Sequence, residues 1–267
     1  MVEEKSDYIY HYTTIETLAL ILKNRTIRFN SLANVDDLDE QESYDLKDFG
    51  KFCYASCWSL DNKENIALWN MYSKNGLGVR IGMPKRWYAM KEFTIPQQDG
   101  RNPSFSNYFG ALTINNDKNQ AIFNINPIGE LNEMPVIYTD REEYLKPSIY
   151  EAKNNEYSIK WAMLGNVKSE IWSFQKEYRF SFCTIPNAVF LLGMQGKTVE
   201  EIGHFCKLAN PPFQYYDIGI DSEAFDKMEI LIGPSASESE KIIIESLVST
   251  YNSSASIKYS ALKVKLK

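Results

Sequence analysis

A glutamine and a glutamate stand two residues apart in a segment with a regular apolar pattern. Over residues 171–183 five of the six even positions are apolar: Trp172, Phe174, Tyr178, Phe180 and Phe182. This period of two predicts a β-strand that carries Gln175, Glu177 and Arg179 together on its other face. A carboxylate held beside an amide on a rigid strand suits a reaction that builds positive charge at a carbon and needs an aligned acceptor.

The same pattern has a simpler interpretation. Antiparallel sheets often keep one face in water, and the polar side of this strand would then be an ordinary solvated face. The strand alone does not separate the two interpretations, so the rest of the chain has to be considered.

The composition is that of an acidic globular chain. With 267 residues, 44% of them hydrophobic, it can bury a large core in one domain or in two closely packed ones. A formal net charge of -6 argues against a general polyanion-binding surface. There is no apolar run of membrane-spanning length and no signal-peptide pattern, which predicts a cytoplasmic protein that does not contact a membrane.

The cysteines are too few for a disulfide framework. Cys53 and Cys57, with His204 and Cys206, have side chains that could complete a tetrahedral metal site. Their spacing matches no common zinc motif, so we predict no metal site. A metal-dependent hydrolase built on these residues is the weakest of the alternatives.

Short strands interspersed with isolated helices predict an α+β domain with mainly antiparallel sheets. Residues 8–12 are predicted as a strand, and Thr13 with Glu16 forms a capping box that opens the first helix. Residues 144–163 are predicted as a mixed helical region, and residues 237–251 as the last helix.

Two helices carry side chains of interest. Asp61 is a candidate N-cap for a helix that contains Trp69 and Tyr72, which lie three residues apart and so share a face. That face can equally belong to the core. In the last helix, Ile242 and Ile243 are expected to point inward, together with Leu247 and Val248.

Two polar regions lack a regular pattern. The acidic loop, residues 36–45, lacks the spacing and turn glycine of a calcium-binding loop and is predicted as a polar surface loop. The region around 90–135 has weak periodicity and is predicted to be an insertion or mobile region within a single domain that spans residues 1–267.

Several separated segments carry a further pattern: His11-Tyr12-Thr13, Ile27-Arg28-Phe29, Cys57-Trp58-Ser59, Trp69-Asn70-Met71-Tyr72, Gly78-Val79, Glu177-Tyr178-Arg179 and Ile230-Leu231-Ile232-Gly233-Pro234. In this order they resemble a bacterial domain-of-unknown-function family with H-Y-T, W-x-x-Y and E-x-R motifs, whose fold is related to ADP-ribosyltransferases. Two positions depart from that family. Its Asn-Asp-Pro-x-Glu is replaced by residues 36–40, and its acid two residues before the last Glu is replaced by Gln175.

The resemblance implies a fold of two mainly antiparallel sheets around a cleft with flanking helices. It also implies NAD as co-substrate. Glu177 would stabilise the oxocarbenium-like state formed when the nicotinamide–ribose bond breaks, and Gln175 would orient the acceptor. Residues implied to contact NAD are His11, Thr13, Arg28, Ser59, Trp69 and Tyr72. Among them, His11 would bind ribose, Tyr72 and Trp69 would stack on nicotinamide, and Arg28 would bind pyrophosphate.

The implied activity is mono-ADP-ribosylation of a protein or nucleic-acid acceptor by a toxin or an anti-phage effector, with a cognate antitoxin as a further partner. The alternative is a nucleotide-binding module that uses the same cleft without turning over NAD. Simpler roles exist for single residues too. His11 could satisfy a backbone carbonyl, Arg28 could pair with an acid, and Arg179 could pair with Glu177.

Overall fold

The computed structural model describes residues 8–89, 92–93, 107–108, 131–153, 156–184, 198–211 and 214–264. Most of the predicted insertion around 90–135 lies outside the described residues. The described part is a mixed α and β fold built on one large sheet with several helices, and this agrees with the predicted α+β class.

The strands and helices are numbered here in chain order. The described strands are β1 Tyr8–Thr13, β2 Thr26–Ser31, β3 Cys53–Ser59, β4 Val79–Pro84, β5 Glu92–Phe93, β6 Asn107–Tyr108, β7 Asn132–Pro135, β8 Ile137–Tyr138, β9 Tyr150–Lys153, β10 Glu156–Ile159, β11 Val167–Lys168, β12 Glu177–Cys183, β13 Tyr215–Gly219, β14 Glu229–Ile232 and β15 Ser256–Tyr259. The described α-helices are α1 Ile15–Asn24, α2 Ile66–Tyr72, α3 Glu142–Leu145, α4 Val199–Leu208, α5 Ser222–Asp226 and α6 Glu238–Tyr251. No helix within the described ranges is long and apolar enough to span a bilayer.

Nine strands form the main sheet. Its path runs β13-β2-β3-β1-β4-β14-β15, and β12 pairs with β3 and β7 off this path. Among these described strands, only β14 and β15 run parallel to each other. The sheet is therefore mainly antiparallel, as predicted from the short strands.

One edge of β3 is shared by β1 and β2, which diverge from each other, and the other edge is occupied by β12. β12 pairs with β3 over its full length, from Ser59 to Cys53, and so occupies one edge. On the opposite edge β2 pairs with residues 54–55, while β1 pairs only with Ser59, through Tyr10. Residues 56–58 of β3 face the opening between them. The predicted pair of sheets differs from this arrangement, because the two halves are continuous through β3.

The main apolar core is built from alternate residues of adjacent strands. Ile9 on β1, Ile81 on β4, Phe180 on β12 and Ile230 on β14 are fully buried in one cluster. Ile244 of α6 completes it, and α6 also packs against α1. Burial of this apolar area is the main favourable term in forming the sheet.

A second apolar cluster anchors the end of the acidic loop. Leu46, Phe49 and Ile202 belong to this cluster, which links the loop to α4. Asp45 adds polar contacts, since its two carboxylate oxygens accept hydrogen bonds from the backbone N–H groups of Ile149 and Tyr150 at 3.0 and 2.9 Å. The end of the loop is therefore held both by apolar packing and by hydrogen bonds.

The predicted caps of the first two helices were wrong by one residue for α1 and by four residues for α2. Thr14, not Thr13, caps α1, because its side chain accepts a hydrogen bond from the Thr17 N–H. Asn65, not Asp61, caps α2 and accepts hydrogen bonds from two backbone N–H groups of the first turn. In each case the residue next to the first helical turn has the better reach.

The inward face of α6 was predicted correctly for Leu247 and Val248 and incorrectly for Ile242 and Ile243. Ile244 and Val248 are buried, while Ile242 and Ile243 are 56% and 48% exposed. Residues four apart lie on one helical face, so packing centred on Ile244 and Val248 turns the two preceding isoleucines away from the core.

The predicted strand over 171–183 begins later than expected. Glu170–Gln175 forms a 3-10 helix, Lys176 adopts a left-handed backbone with φ of 46°, and only Glu177 begins the strand. Asp140 holds the start of the 3-10 helix by accepting from the Glu170 N–H at 3.0 Å.

Residues 144–163 were predicted as a mixed helical region, and this prediction is wrong over most of their length. They contain the end of α3, the β9–β10 hairpin and a 3-10 helix at Trp161–Met163.

Candidate active site

A cleft of about 210 Å³ lies in the opening where β1 and β2 diverge along β3. Its lining includes residues from β1, β2, β3, α2 and β12, which bring distant parts of the chain together. The lining side chains that could bind a ligand or take part in a reaction are His11, Arg28, Tyr72, Lys168, Gln175 and Glu177.

The structure places most of the predicted site residues at this cleft. His11, Arg28, Ser59, Tyr72, Gln175 and Glu177 line it, whereas Thr13 and Trp69 are absent from its lining. Ser59 lies directly beside Glu177 in the β3–β12 register. Thr13 is buried opposite Val79 in the β1–β4 register.

Trp69 belongs to a small apolar cluster instead of the cleft. It is fully buried, packs edge-on against Tyr12 with ring centroids 4.9 Å apart, and donates a hydrogen bond from Nε1 to Glu64 at 3.0 Å. Leu68 and Tyr72, four apart, form the row of α2 that faces the cleft. The structure therefore does not bring Trp69 and Tyr72 together as two walls of a stacking site.

Four buried charges form the floor of the cleft and the layer beneath it. Glu177 Oε2 accepts from Arg179 Nε at 2.8 Å and lies 2.5 Å from Arg179 Nη2. Arg179 Nη1 also pairs with Glu40. Lys168 Nζ lies 3.0 Å from Glu40 Oε1 and 3.4 Å from Glu177 Oε1. Two carboxylates thus balance two cations, as buried charges require.

A chain of hydrogen bonds leads from this network to Tyr72 on α2. Lys168 Nζ donates to Gln175 Oε1 at 2.8 Å, and Gln175 Nε2 donates to the Tyr72 hydroxyl at 2.8 Å. The Tyr72 hydroxyl donates in turn to Asp36 Oδ2 at 2.6 Å. Burial raises the pKa of Tyr72, and the Asp36 carboxylate raises it further, so the phenol stays protonated.

The polar side of β12 is not a solvated sheet face. On β12 Arg179 is 1% exposed and Glu177 is 8% exposed, and Gln175, which precedes the strand in the 3-10 helix, is 1% exposed. The simpler interpretation of the pattern is therefore wrong, because the acidic loop and β11 cover this side of the strand. The prediction that Arg179 could pair with Glu177 is confirmed.

His11 is held in one tautomer by the backbone. Its Nδ1 lies 2.9 Å from the carbonyl oxygen of Cys57, which can only accept, so Nδ1 carries the proton. Burial lowers the pKa of His11, and the carbonyl contact opposes this only in part. The neutral ring then offers Nε2 as an acceptor. The predicted contact with a backbone carbonyl is confirmed, and it orients the ring in the cleft lining.

Arg28 is already paired. Its Nε and Nη2 donate to the two carboxylate oxygens of Asp217 at 2.9 and 3.0 Å, and its guanidinium lies 3.5 Å from the centroid of the Tyr215 ring. The alternative that Arg28 pairs with an acid is confirmed. A pyrophosphate at this edge of the cleft would have to share the guanidinium with Asp217.

Comparisons with protein-family models, with curated proteins and with solved structures find no match. The relation to ADP-ribosyltransferases therefore stays a prediction that rests on the motifs, and the site has to be interpreted from its own chemistry.

Among the described residues the cysteines belong to no cluster that could hold a metal ion, and the cysteine that lines the cleft is a protonated thiol. No group of three or more histidine, cysteine or acidic side chains within the described ranges could hold a metal ion. Cys57 lines the cleft, but burial raises its pKa to about 12, so its thiol stays protonated at neutral pH. A protonated thiol is a weak nucleophile.

Three residues of the network were missed as site residues. Glu40 and Asp36 come from the acidic loop, and the prediction of a polar surface loop is wrong for Glu40, which is buried. Lys168 lies on β11, where no sequence pattern marks it. The density of acids in the loop was visible, but nothing local indicated that one of them turns inward.

Proposed function

We propose that the chain is an NAD-dependent mono-ADP-ribosyltransferase that transfers ADP-ribose to a protein or nucleic-acid acceptor. One observation carries this proposal: Glu177, His11 and Tyr72, which are far apart in sequence, line the same cleft. A carboxylate, a neutral imidazole and a phenol ring are groups that the chemistry of NAD cleavage can use.

Glu177 is assigned the central role. When the bond between ribose C1′ and the nicotinamide nitrogen breaks, nicotinamide leaves with the bonding pair and positive charge develops on the ribose. A fixed carboxylate stabilises that charge best when it needs no reorganisation. Arg179 and the strand backbone hold Glu177 in place, and the acceptor then forms the new bond at C1′ and loses its proton.

His11 and Tyr72 are assigned to binding. The unprotonated Nε2 of His11 can accept a hydrogen bond from a ribose hydroxyl. Tyr72, fixed by Gln175 and Asp36, supplies a rigid aromatic surface for the nicotinamide ring. Gln175 keeps one amide hydrogen beyond its bond to Tyr72 and could direct it toward the acceptor.

A second candidate is a nucleotide-binding module without turnover. The observation that favours it is the double ion pairing of Glu177, since a carboxylate bound by Arg179 and Lys168 can serve the fold alone. Under this alternative NAD or a related nucleotide would occupy the cleft and remain intact.

The test follows nicotinamide release from NAD in the presence of candidate protein and nucleic-acid acceptors. We expect Glu177→Gln to lower the rate by about 100-fold or more. Glu133→Gln is the matched control, because Glu133 accepts hydrogen bonds from Tyr88 and Tyr178 outside the cleft lining. Thermal melting of each variant checks that it folds.

The outcomes separate the candidates. Binding of NAD by calorimetry without nicotinamide release would support the binding module. Release that is equal in wild type and Glu177→Gln would remove Glu177 from the mechanism, and absence of NAD binding would end both proposals. A toxin or anti-phage role, with a cognate antitoxin as partner, predicts that host cells tolerate Glu177→Gln better than the wild-type chain.

A further inference from the structure

One acidic side chain of the acidic loop turns away from solvent. The 3-10 helix Leu38–Gln41 carries both Asp39 and Glu40. The Asp39 side chain is 66% exposed, whereas that of Glu40 is 1% exposed and contacts Arg179 and Lys168. A buried carboxylate needs partners of opposite charge, because removing a charge from water costs free energy.

The distances around Lys168 are unequal. Its ammonium lies 2.8 Å from Gln175 Oε1 and 3.0 Å from Glu40 Oε1, but 3.4 Å from Glu177 Oε1. An ammonium has three hydrogens to donate, and the two short contacts use two of them. The third hydrogen is left for Glu177 Oε1, to which Lys168 makes only the long contact of 3.4 Å.

The two oxygens of Glu177 consequently differ. Oε2 takes both contacts from Arg179, at 2.8 and 2.5 Å, and is fixed by them. Among the residues that the structure describes, Oε1 contacts only Lys168, at 3.4 Å, and keeps the capacity to accept a hydrogen bond at normal length. Glu177 and Lys168 both line the cleft, whereas Glu40 is absent from its lining.

We propose that Glu40 is a positioning residue that holds Lys168 back and so keeps Glu177 Oε1 available to a ribose hydroxyl of NAD. This inference rests on the proposed function. Without the Glu40 charge, Glu177 is the one carboxylate of the described network that is left for the two cations. Lys168 then moves onto Oε1 and competes with the ribose hydroxyl for it.

The experiment combines a crystal structure and kinetics of Glu40→Gln, which removes the charge and keeps the shape. We expect the Lys168 Nζ to Glu177 Oε1 distance to shorten to about 2.8 Å, the length of a charge-assisted hydrogen bond. We expect kcat for nicotinamide release to fall about 10- to 100-fold, as for other residues that hold a functional group in place.

Three further variants separate positioning from a structural role. In Glu40→Gln/Lys168→Met the competing ammonium is gone, so kcat should rise above that of Glu40→Gln. Glu40→Asp retains the charge and should lose less activity than Glu40→Gln. Asp39→Asn, its exposed neighbour in the same 3-10 helix, is the matched control and should behave as wild type.

Each outcome decides the inference. An unchanged Lys168–Glu177 distance in Glu40→Gln, wild-type kcat in that variant, or lower activity in the double variant would overturn it. If the wild-type chain releases no nicotinamide, the proposed function fails, and the position of Lys168 in the Glu40→Gln crystal structure still decides whether Glu40 holds it back. If Glu40→Gln does not fold, Glu40→Gln/Lys168→Met is compared with Lys168→Met: equal kcat supports an action of Glu40 through Lys168, and a lower kcat in the double variant overturns it.

Discussion

The two faces of β12 are equally buried and chemically opposite. On one face Tyr178, Phe180 and Phe182 pack into the main core. On the other, Glu177 and Arg179 belong to the charged network below the cleft. Burial of the aromatic face is favourable on its own, at roughly 25 cal/mol per Å² of apolar area. Burial of the charged face is tolerated only because each charge has a partner.

This difference indicates where function is expected. Well-packed apolar residues of similar volume often replace a buried ion pair without loss of stability. A four-charge network beside a cleft is therefore poorly explained by stability alone. The predictions below test whether the two faces differ in the expected way.

The largest effect is expected from Arg179→Met. This change leaves Glu40 and Glu177 buried with Lys168 as their one remaining cation in the network. Breaking a buried pair on one side costs about 3–5 kcal/mol in free energy of unfolding. Denaturant titration measures it, and a loss below about 1 kcal/mol would show that water or rearrangement compensates the charges.

A pH effect of intermediate size is expected from His11. Burial lowers its pKa in the folded state, so below about pH 6.5 the unfolded chain takes up a proton that the folded chain does not. Above that pH His11 is neutral in both states and adds no pH dependence to the free energy of unfolding. That free energy falls as the pH drops from there toward the folded-state pKa, by at most about 1.4 kcal/mol per pH unit.

Urea unfolding at about pH 7.5 and about pH 5.5 measures this loss. The His11→Asn variant should show a smaller difference between the two conditions, since it cannot titrate. An equal difference in both proteins would contradict the assignment.

On the apolar side, Ile9→Val should cost about 0.5–1.5 kcal/mol, the usual cost of one buried methylene and its cavity. Ile9 is fully buried in the main core. The loss should not change with salt concentration, in contrast to a charge effect. Chemical denaturation at low and high salt tests both points, and a strong salt dependence would contradict the distinction between the two faces.

The smallest effect is expected from Arg28→Met. Arg28 pairs with Asp217, but its side chain is 43% exposed, and exposed ion pairs contribute about 0–1 kcal/mol. The same denaturation experiment serves as the control for Arg179→Met. If both arginines cost the same, burial would not be the property that distinguishes them.

Sequence reasoning was most successful where the signal is local. The strand at 8–12 and the last helix, at 237–251, were found from the local sequence pattern. It failed at 144–163, where short hairpins and single turns have no period to detect.

The site was predicted in part, for the same reason. Gln175, Glu177 and Tyr72 were identified by motif, and they do meet at the cleft. Trp69 was misplaced because a spacing of three does not say which row of a helix faces a cleft. Glu40 was missed because its partner Arg179 lies 139 residues away, and long-range pairing leaves no trace in local sequence.

The opening along β3 has a consequence for how recognition can work. Residues 56–58 have no strand partner on that edge within the described part of the chain, although the Cys57 carbonyl accepts from His11. The N–H and C=O of one strand residue point to the same edge, so the Cys57 N–H faces this opening beside its carbonyl, and a bound molecule can accept a hydrogen bond from it whatever the side chains nearby. Affinity based on such main-chain contacts would tolerate wide drift of the surrounding residues, and a ligand complex held by side chains alone would contradict this.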